Sequence, residues 1–224
     1  MKRLINGIFK KFGFQLTRSN GIPATYKLLR NSRYFASKFD LIANVQGDVV
    51  ECGVGFGHTL LIICFLNQQE GSGRRVWAFD SFEGFPEPTP EDASARNPRK
   101  GEWKVITTGD LDDILFRRCG LPVSAKESLR VTKGYFEDTL PSSKVEKIAL
   151  LHLDVDLYGS YKTCLNELYR KVVPGGVILF DEYKQKDTHL VFPGAAKAID
   201  EFFADKPETI EYDSRHDKYF AIKR

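Results

Sequence analysis

Three glycines at alternating positions, Gly53, Gly55 and Gly57, follow an acidic residue, Glu51, in the segment VVECGVGFGH. Glycine lacks a β-carbon, so such a loop can turn tightly and let a ligand approach the backbone. The dinucleotide-binding pattern would need a glycine at position 58, where this chain has histidine, and a P-loop would end in Gly-Lys-Ser or Gly-Lys-Thr. The loop is therefore predicted to bind a small molecule other than a pyrophosphate.

A carboxylate, Asp80, ends the next apolar run, RVWAFD, 23 residues after Gly57. In open α/β sheets, ligands bind beyond the C-terminal ends of the strands, where an acidic residue can accept hydrogen bonds from ribose hydroxyls. The glycine loop and Asp80 together predict a site for a nucleoside-containing ligand. The structural alternative is a tight turn and a helix-capping aspartate without any ligand.

Four further carboxylates follow two apolar runs in LHLDVD and ILFDEY, those of Asp154, Asp156, Asp181 and Glu182. If these runs are neighbouring parallel strands, their C-terminal ends bring the four side chains to the same rim. Carboxylates so close repel one another unless they are protonated, paired or bridged by a cation. Oxygen ligands favour a hard ion such as Mg²⁺, so the rim is a predicted metal site.

Structural alternatives exist for several of these residues. Asp156 could cap a helix that begins near Leu157 by accepting hydrogen bonds from its first free amides. His152 lies two residues before Asp154, so a strand would place both on one face of the sheet. His152 is a candidate catalytic base, with a buried core histidine as the alternative, and His58 is either structural or a cofactor contact.

An alternation of β-type and helical segments is needed to position these residues. Predicted strands lie at 48–52, 75–79, 129–133, 148–154 and 176–180, and helical patterns lie between them at about 58–68, 110–118, 158–171 and 194–204. This order predicts an α/β fold, in which helices cover both faces of a parallel sheet.

The last residues break this alternation, because two extended segments at 208–213 and 218–223 are separated by SRHD. That spacing predicts a β-hairpin that adds an antiparallel strand. Residues 86–104 form a long, polar, proline-rich connection. A connection of this length predicts a lid that is mobile without ligand and closes over substrate.

The N-terminal segment carries apolar residues at helical spacing among basic ones, as in MKRLINGIFKKFGFQL. It lacks the apolar stretch and cleavage site of a signal peptide. Such a helix packs on its own domain or on another subunit, which favours a homo-oligomer, or residues 1–18 make a weak contact with a membrane surface. The predicted division is a helical extension at 1–40 and a catalytic domain at 41–224.

The overall composition limits the class of protein and its partners. A chain of 224 residues, 42% of them hydrophobic, suits one α/β domain, and a formal charge of +3 gives no argument for a nucleic-acid partner. No apolar stretch approaches the roughly 20 residues that span a bilayer. The cysteines match no zinc spacing or disulfide scaffold, which predicts buried thiols and a cytoplasmic protein; they are Cys52, Cys64, Cys119 and Cys164.

Six segments in order resemble the macrocin O-methyltransferase (TylF-type) family of class I S-adenosylmethionine-dependent methyltransferases. They are GDVVECGVGFGHTL, FDSFEGFPEP, GYFEDTLP, LHLDVDLYGSY, VVPGGVILFDEY and GAAKAIDEFF, and the likeness covers about residue 40 to the end of the chain. The resemblance implies a Rossmann-like, doubly wound, mostly parallel seven-stranded sheet with an antiparallel C-terminal strand. It also implies Mg²⁺-dependent methylation of a hydroxyl on a sugar or glycosylated natural product.

The resemblance also implies residue roles. Asp154 and Asp181 match the first two metal ligands, and Glu182 stands where the family usually has Asp. With His152, Asp154 is assigned to catalysis. The loop FGH at 56–58 departs from the commoner Arg-Gly-Gly. The implied cofactor contacts are Glu51, Gly53, Val54, Gly55, Gly57, His58, Thr59, Asp80, Ser81, Phe82, Gly134 and Asp154.

The implied mechanism uses Mg²⁺ to bind two vicinal hydroxyls, after which one loses its proton and attacks the sulfonium methyl group in line. Two other functions fit the same motifs. One is a metal-independent methyltransferase that acts on a lipid or polyketide hydroxyl, and the other is a non-catalytic module that binds S-adenosylmethionine or a nucleotide. The acidic cluster argues against the module, which has no use for several unpaired carboxylates beside its ligand.

Overall fold

The computed structural model describes residues 26–185 and 188–224. Within these residues the strands form one seven-stranded sheet in the order β3-β2-β1-β4-β5-β7-β6. All neighbours from β3 to β5 pair in parallel, and β7 is antiparallel to both β5 and β6. The strands are β1 (Asp48–Cys52), β2 (Val76–Asp80), β3 (Leu129–Lys133), β4 (Ile148–Leu153), β5 (Val172–Phe180), β6 (Ile210–Asp213) and β7 (Lys218–Ile222).

Helices lie before, between and after the parallel strands, so the predicted α/β fold and the C-terminal hairpin are confirmed. None of the helices within 26–185 and 188–224 has the length and apolar character needed to cross a membrane. The helices are α1 (Tyr26–Ile42), α2 (His58–Glu70), α3 (Thr108–Asp112), α4 (Val123–Ser128), α5 (Phe136–Thr139), α6 (Tyr158–Leu168), α7 (Thr188–Val191) and α8 (Pro193–Phe203).

The central strands β1, β2, β4 and β5 are largely buried on both faces of the sheet, and successive residues of each strand point to opposite sides. On one face Leu151 and Leu153 of β4 pack with residues of α6 and α8, including Tyr161, which is fully buried. On the other face Leu150 packs with α1 and α2. This two-sided burial explains why the parallel strands are almost continuously apolar in sequence.

Helix α1 is part of this core and crosses residue 40, the predicted boundary between the extension and the catalytic domain. Tyr34, Phe35 and Phe39 are buried at helical spacing against the sheet. The guanidinium of Arg74 donates to the carbonyl of Ile42 at 2.8 Å and so supports the C-terminal end of α1. The division at residue 40 stays a prediction, and the proposed membrane contact of residues 1–18 lies outside the described residues.

Two element boundaries differ from the sequence prediction for local reasons. Strand β5 begins at Val172 rather than at 176, because Val172 pairs with Ile148 before an irregularity in the β4–β5 register. Helix α3 begins before residue 110, because Thr107 and Asp110 form a reciprocal capping box. A π-helical stretch, Asp113–Arg118, continues α3.

The segment 86–104 is anchored to neighbouring helices, unlike the structureless connection that its composition predicts. It contains a short 3₁₀ helix, Pro90–Asp92. The buried carboxylate of Asp92 accepts a hydrogen bond from the Tyr158 amide at 2.7 Å and so caps α6, while Ser94 donates to the carbonyl of Val191 at 2.9 Å. Mobility of the segment without ligand stays a prediction.

Candidate active site

A cavity of about 800 Å³ lies at the C-terminal ends of the parallel strands, where doubly wound sheets bind their ligands. Ten of the predicted site residues line it: Gly53, Val54, Gly55, His58, Thr59, Asp80, Ser81, Asp154, Asp181 and Glu182. The other predicted residues lie outside its lining: Glu51, Gly57, Phe82, Gly134 and His152. The glycine loop and the acidic rim therefore share one cavity.

Glycine is needed at the three loop positions for different structural reasons. A β-carbon on Gly53 would lie 1.7 Å from the carbonyl oxygen of Asp154, so this glycine permits the close approach of the β1 and β4 ends. Gly55 has a φ of 51° and open space within 4 Å of its missing β-carbon. Gly57, at φ 76°, starts α2, and a β-carbon there would lie 2.7 Å from Leu111. The loop thus needs glycine for shape at both ends and leaves room for a ligand at its centre.

Asp80 holds the glycine loop in place. Its carboxylate accepts hydrogen bonds from the amides of Val54 at 2.7 Å, Gly55 at 3.3 Å and Phe82 at 2.6 Å. An ionised carboxylate has about four acceptor positions, so capacity remains for a ribose hydroxyl. The side chain of Phe82 is buried in the core, and Gly134 donates its amide to the carbonyl of Asp80 at 3.0 Å. Ribose binding by Asp80 stays a prediction.

Glu51 and His152 form a buried pair on neighbouring strands outside the cavity lining. Glu51 is fully buried, and its Oε1 lies 3.2 Å from His152 Nδ1. Burial, and then the charge of Asp154, raises the pKa of Glu51 well above its usual range. Burial lowers the pKa of His152 to about 4. Burial therefore favours the uncharged form of both groups, and His152 packs edge-on against Phe35 with ring centroids 5.0 Å apart.

The acidic rim contains two overlapping groups of side chains whose ligand atoms lie within 4.8 Å of one another. His152, Asp154 and Asp181 form one group, and Asp154, Asp156 and Glu182 form the other. Asp154 belongs to both groups, while Asp181 and Glu182, the other two predicted ligands, belong to different ones. Asp154 is therefore the centre of what we call the carboxylate cluster, Asp154, Asp156, Asp181 and Glu182.

Three members of the carboxylate cluster hold protons more tightly than isolated acids. Burial, followed by the charges of Asp181 and Asp156, raises the pKa of Asp154 well above its usual range. Burial, followed by the charge of Asp156, does the same to Glu182. Burial and Asp181 raise the pKa of Asp156 to about 7. Because a divalent cation would relieve this repulsion and finds oxygen donors here, the cluster fits Mg²⁺.

Asp156 does not cap α6, so that alternative is wrong. The first amide of the helix, that of Tyr158, donates to Asp92 instead. Asp156 sits in a turn with φ 58°, and its own amide donates to Glu182 Oε2 at 3.3 Å. The turn after β4 therefore links two members of the carboxylate cluster through the backbone.

Lys218 is a cavity residue that sequence reasoning missed. It lines the cavity, and its ammonium group contacts the carboxylate of Asp181 directly. Burial acts to raise the pKa of Asp181, but the charge and hydrogen bond of Lys218, together with smaller contributions from His152 and Glu182, outweigh it and hold the pKa below its usual range. Lys218 comes close to Asp181 because β7 pairs with β5 and sets Tyr219 opposite Phe180. Only this strand register could have predicted the contact.

An aromatic rim at the mouth of the cavity was also missed. Phe56 and Trp103 are 47% and 49% exposed, unusual for such large apolar side chains, and their ring centroids lie 6.2 Å apart. His58 stacks on Phe56 at 5.8 Å. Burial, and then the charge of Lys27, lowers the pKa of His58. The rim offers flat apolar surface beside the carboxylate cluster.

The sheet order, the glycine loop and the cavity at the strand ends define a Rossmann-like fold of the methyltransferase class. The chain belongs to the macrocin O-methyltransferase (TylF) family, whose family model matches residues 36–211.

Two curated relatives come from Streptomyces species. The chain is 34% identical over 161 residues to the 8-demethyl-8-(2,3-dimethoxy-alpha-L-rhamnosyl)-tetracenomycin-C 4'-O-methyltransferase of Streptomyces olivaceus, covering 70% of this chain and 60% of that protein. It is 33% identical over 177 residues to the demethyldecarbamoylnovobiocin O-methyltransferase of Streptomyces niveus, covering 76% and 65%. The chain thus spans less than two thirds of the length of these relatives.

A solved structure supports the same fold assignment. The O-methyltransferase NovP superposes with a TM-score of 0.70 at 28% sequence identity, covering 88% of this chain and 79% of that chain. The seven-stranded sheet with its antiparallel C-terminal strand, predicted from the sequence, is therefore confirmed.

Proposed function

We propose that this protein is an S-adenosylmethionine-dependent O-methyltransferase that acts on a hydroxyl of a sugar or glycosylated natural product, with Mg²⁺ as a second cofactor. The observation that carries the proposal is that one cavity is lined by both the glycine loop and the carboxylate cluster. Family membership supports the reaction, and the named activities of the relatives support a glycosylated acceptor.

In this proposal the nucleoside of the methyl donor lies along the loop of Gly53, Gly55 and Gly57. Asp80 orients the loop and accepts from the ribose, and Ser81 and Thr59 line the same end of the cavity. Gly55 leaves open space for the donor beside the backbone. The donor supplies an electrophilic methyl group when bound, and the loop fixes its position.

The carboxylate cluster holds the acceptor side. Asp154, Asp181 and Glu182 would hold Mg²⁺, which supplies a positive charge that lowers the pKa of a nearby hydroxyl. Asp154, which belongs to both groups of possible ligands, would take its predicted catalytic part by holding that positive charge beside the acceptor hydroxyl. His152 is buried, and its ring lies in one group with Asp154 and Asp181. It stays a predicted base, and it would exchange a proton with the acceptor only through one of these two carboxylates.

A metal-independent methyltransferase is the second candidate, and the ion pair between Lys218 and Asp181 favours it. A lysine ammonium group already supplies one positive charge to the carboxylate cluster. The two candidates differ in whether Mg²⁺ binds and whether EDTA removes activity.

A thermal-shift titration with S-adenosylhomocysteine, with and without Mg²⁺ and with EDTA as control, tests the proposal. At about 100 times its Kd, a ligand stabilises the native state by about 2.7 kcal/mol, which for a chain of this size raises Tm by about 5 to 10 °C. We expect such a shift with the nucleoside and a further shift with Mg²⁺. No shift with the nucleoside would contradict the proposal, and a nucleoside shift without a Mg²⁺ effect would favour the second candidate.

A further inference from the structure

The register of the C-terminal hairpin brings a cation to the carboxylate cluster. Phe180 of β5 pairs with Tyr219 of β7, so the residues beyond them, Asp181 and Lys218, face each other across the strand pair. The Lys218 ammonium contacts the Asp181 carboxylate and lies 3.4 Å from the carbonyl oxygen of the same residue. The exposed fraction is 15% for the lysine side chain and 32% for that of Asp181, so water screens this ion pair only in part.

Lys218 pairs with the carboxylate cluster and not with Asp213, its acidic neighbour on the other side. On its opposite side, Asp213 of β6 pairs with Lys218 in register. The Asp213 carboxylate is taken by Lys38 at 3.0 Å and by His216 Nδ1 at 3.0 Å. Among residues 26–185 and 188–224, the ion pair between Lys218 and Asp181 is the only one that involves a member of the carboxylate cluster.

We propose that Lys218 is a built-in counter-ion that sets the affinity of the carboxylate cluster for divalent cations by competing for Asp181. This inference rests on the Mg²⁺ part of the proposed function. Mg²⁺ must either displace the ammonium group from Asp181 or bind beside a fixed positive charge. Both routes weaken metal binding, because like charges repel each other more strongly in a partly buried site than in bulk water.

Isothermal titration of MgCl₂ into the full chain tests the inference. We expect Lys218→Met, which keeps an unbranched apolar stem, to bind Mg²⁺ about tenfold tighter than the unmodified protein. Lys218→Arg keeps the charge and should bind like the unmodified protein. The matched control is Lys162→Met, which removes a lysine paired with Glu201 at 3.2 Å away from the cavity and should leave Mg²⁺ affinity unchanged.

Unchanged or weaker Mg²⁺ binding by Lys218→Met would overturn the inference, and weaker binding would mean that Lys218 positions Asp181 for the metal. S-adenosylhomocysteine binding, measured on the same proteins, reports an intact fold. If the methionine variant fails to fold, Lys218→Gln replaces it, with the same expected direction.

The outcomes also separate this inference from the proposed function. Equal Mg²⁺ affinity in the unmodified protein and in Lys218→Met defeats the role of Lys218 alone. Absence of Mg²⁺ binding in every protein, with S-adenosylhomocysteine still bound, defeats the metal part of the proposed function and this inference with it.

Discussion

Glu208 and Asp154 are both carboxyl groups held against the sheet, yet the chain gives them opposite surroundings. Glu208 accepts hydrogen bonds from the Tyr169 hydroxyl at 2.6 Å, the Lys223 ammonium at 3.0 Å and the Arg224 amide at 3.1 Å. Asp154 lies among other carboxyl groups, and burial, followed by the charges of Asp181 and Asp156, raises its pKa. One acid is fully partnered and joins the chain end to the core, whereas the other keeps unused capacity for a ligand.

This difference separates two uses of buried charge. A carboxylate whose partners all come from the chain stabilises the fold, because removing it leaves a buried cation without its counter-charge. A carboxylate among other carboxylates costs stability and is retained where a ligand repays that cost. Three substitutions and one change of pH test the difference between these two kinds of carboxylate.

Glu208→Gln should have the largest effect on stability. The amide cannot neutralise Lys223, so we expect the free energy of unfolding to fall by about 3 kcal/mol. Binding of S-adenosylhomocysteine should be unchanged, since Glu208 lies outside the cavity. Urea unfolding measures the loss. The control is Glu211→Gln, an exposed position on β6 that should change stability by less than about 0.5 kcal/mol.

The stability contribution of Glu208 should depend on pH. Burial acts to raise its pKa, but hydrogen bonds from Tyr169, Arg224 and Lys223 lower it to about 2. Because the folded pKa lies below the unfolded value of about 4.3, the contribution is present above that pH and is lost as pH falls towards 2. The stability gap between the unmodified protein and Glu208→Gln should therefore narrow over this range. A gap that stays constant would contradict the assignment.

Asp92→Ala should lower stability by about 2 kcal/mol, because Asp92 is also a fully partnered acid. Its carboxylate accepts from the amides of Thr89 and Tyr158, and the variant leaves both amides without that acceptor. Residues 86–104 should also be cleaved faster by a protease. Glu87→Gln, at an exposed position of the same segment, is the control. Equal protease resistance in both variants would mean that the segment is held by other contacts.

Asp154→Asn should have the smallest effect on stability and the opposite sign. Removing one acid from the carboxylate cluster relieves repulsion, so the free energy of unfolding should rise by about 1 kcal/mol at pH 8. Mg²⁺ affinity should fall at least about tenfold. Urea unfolding and calorimetric titration measure the two effects, with Asp40→Asn, an exposed position on α1, as control. A lower free energy of unfolding would mean that Asp154, like Glu208, stabilises the fold.

The sequence predicted features that follow from local rules. The glycine loop and the acids at the strand ends were found because parallel strands bring their C-terminal ends to one edge. Gly53 illustrates this, since the close approach of the β1 and β4 ends leaves no space for a side chain. The hairpin was found from the spacing of its two extended segments.

The missed residues depend on distant contacts. Lys218 meets Asp181 only through the β5–β7 register, and Asp92 caps a helix that begins 66 residues later. Spacing along the chain carries no signal for either contact. The aromatic rim was missed for a related reason, because Phe56 and Trp103 meet only when the segment 86–104 folds back over the glycine loop.

The docking of residues 86–104 has a consequence for protein engineering. Asp92 packs against Gly194, where an added β-carbon would lie 2.2 Å from its Oδ1, and Arg96 lies over the Phe192 ring, 4.9 Å from its centroid. The segment and the start of α8 thus pack together and should be exchanged together. A graft that imports this loop from a relative should import the region of residues 191–194 with it, so that the new loop keeps the contacts that hold it.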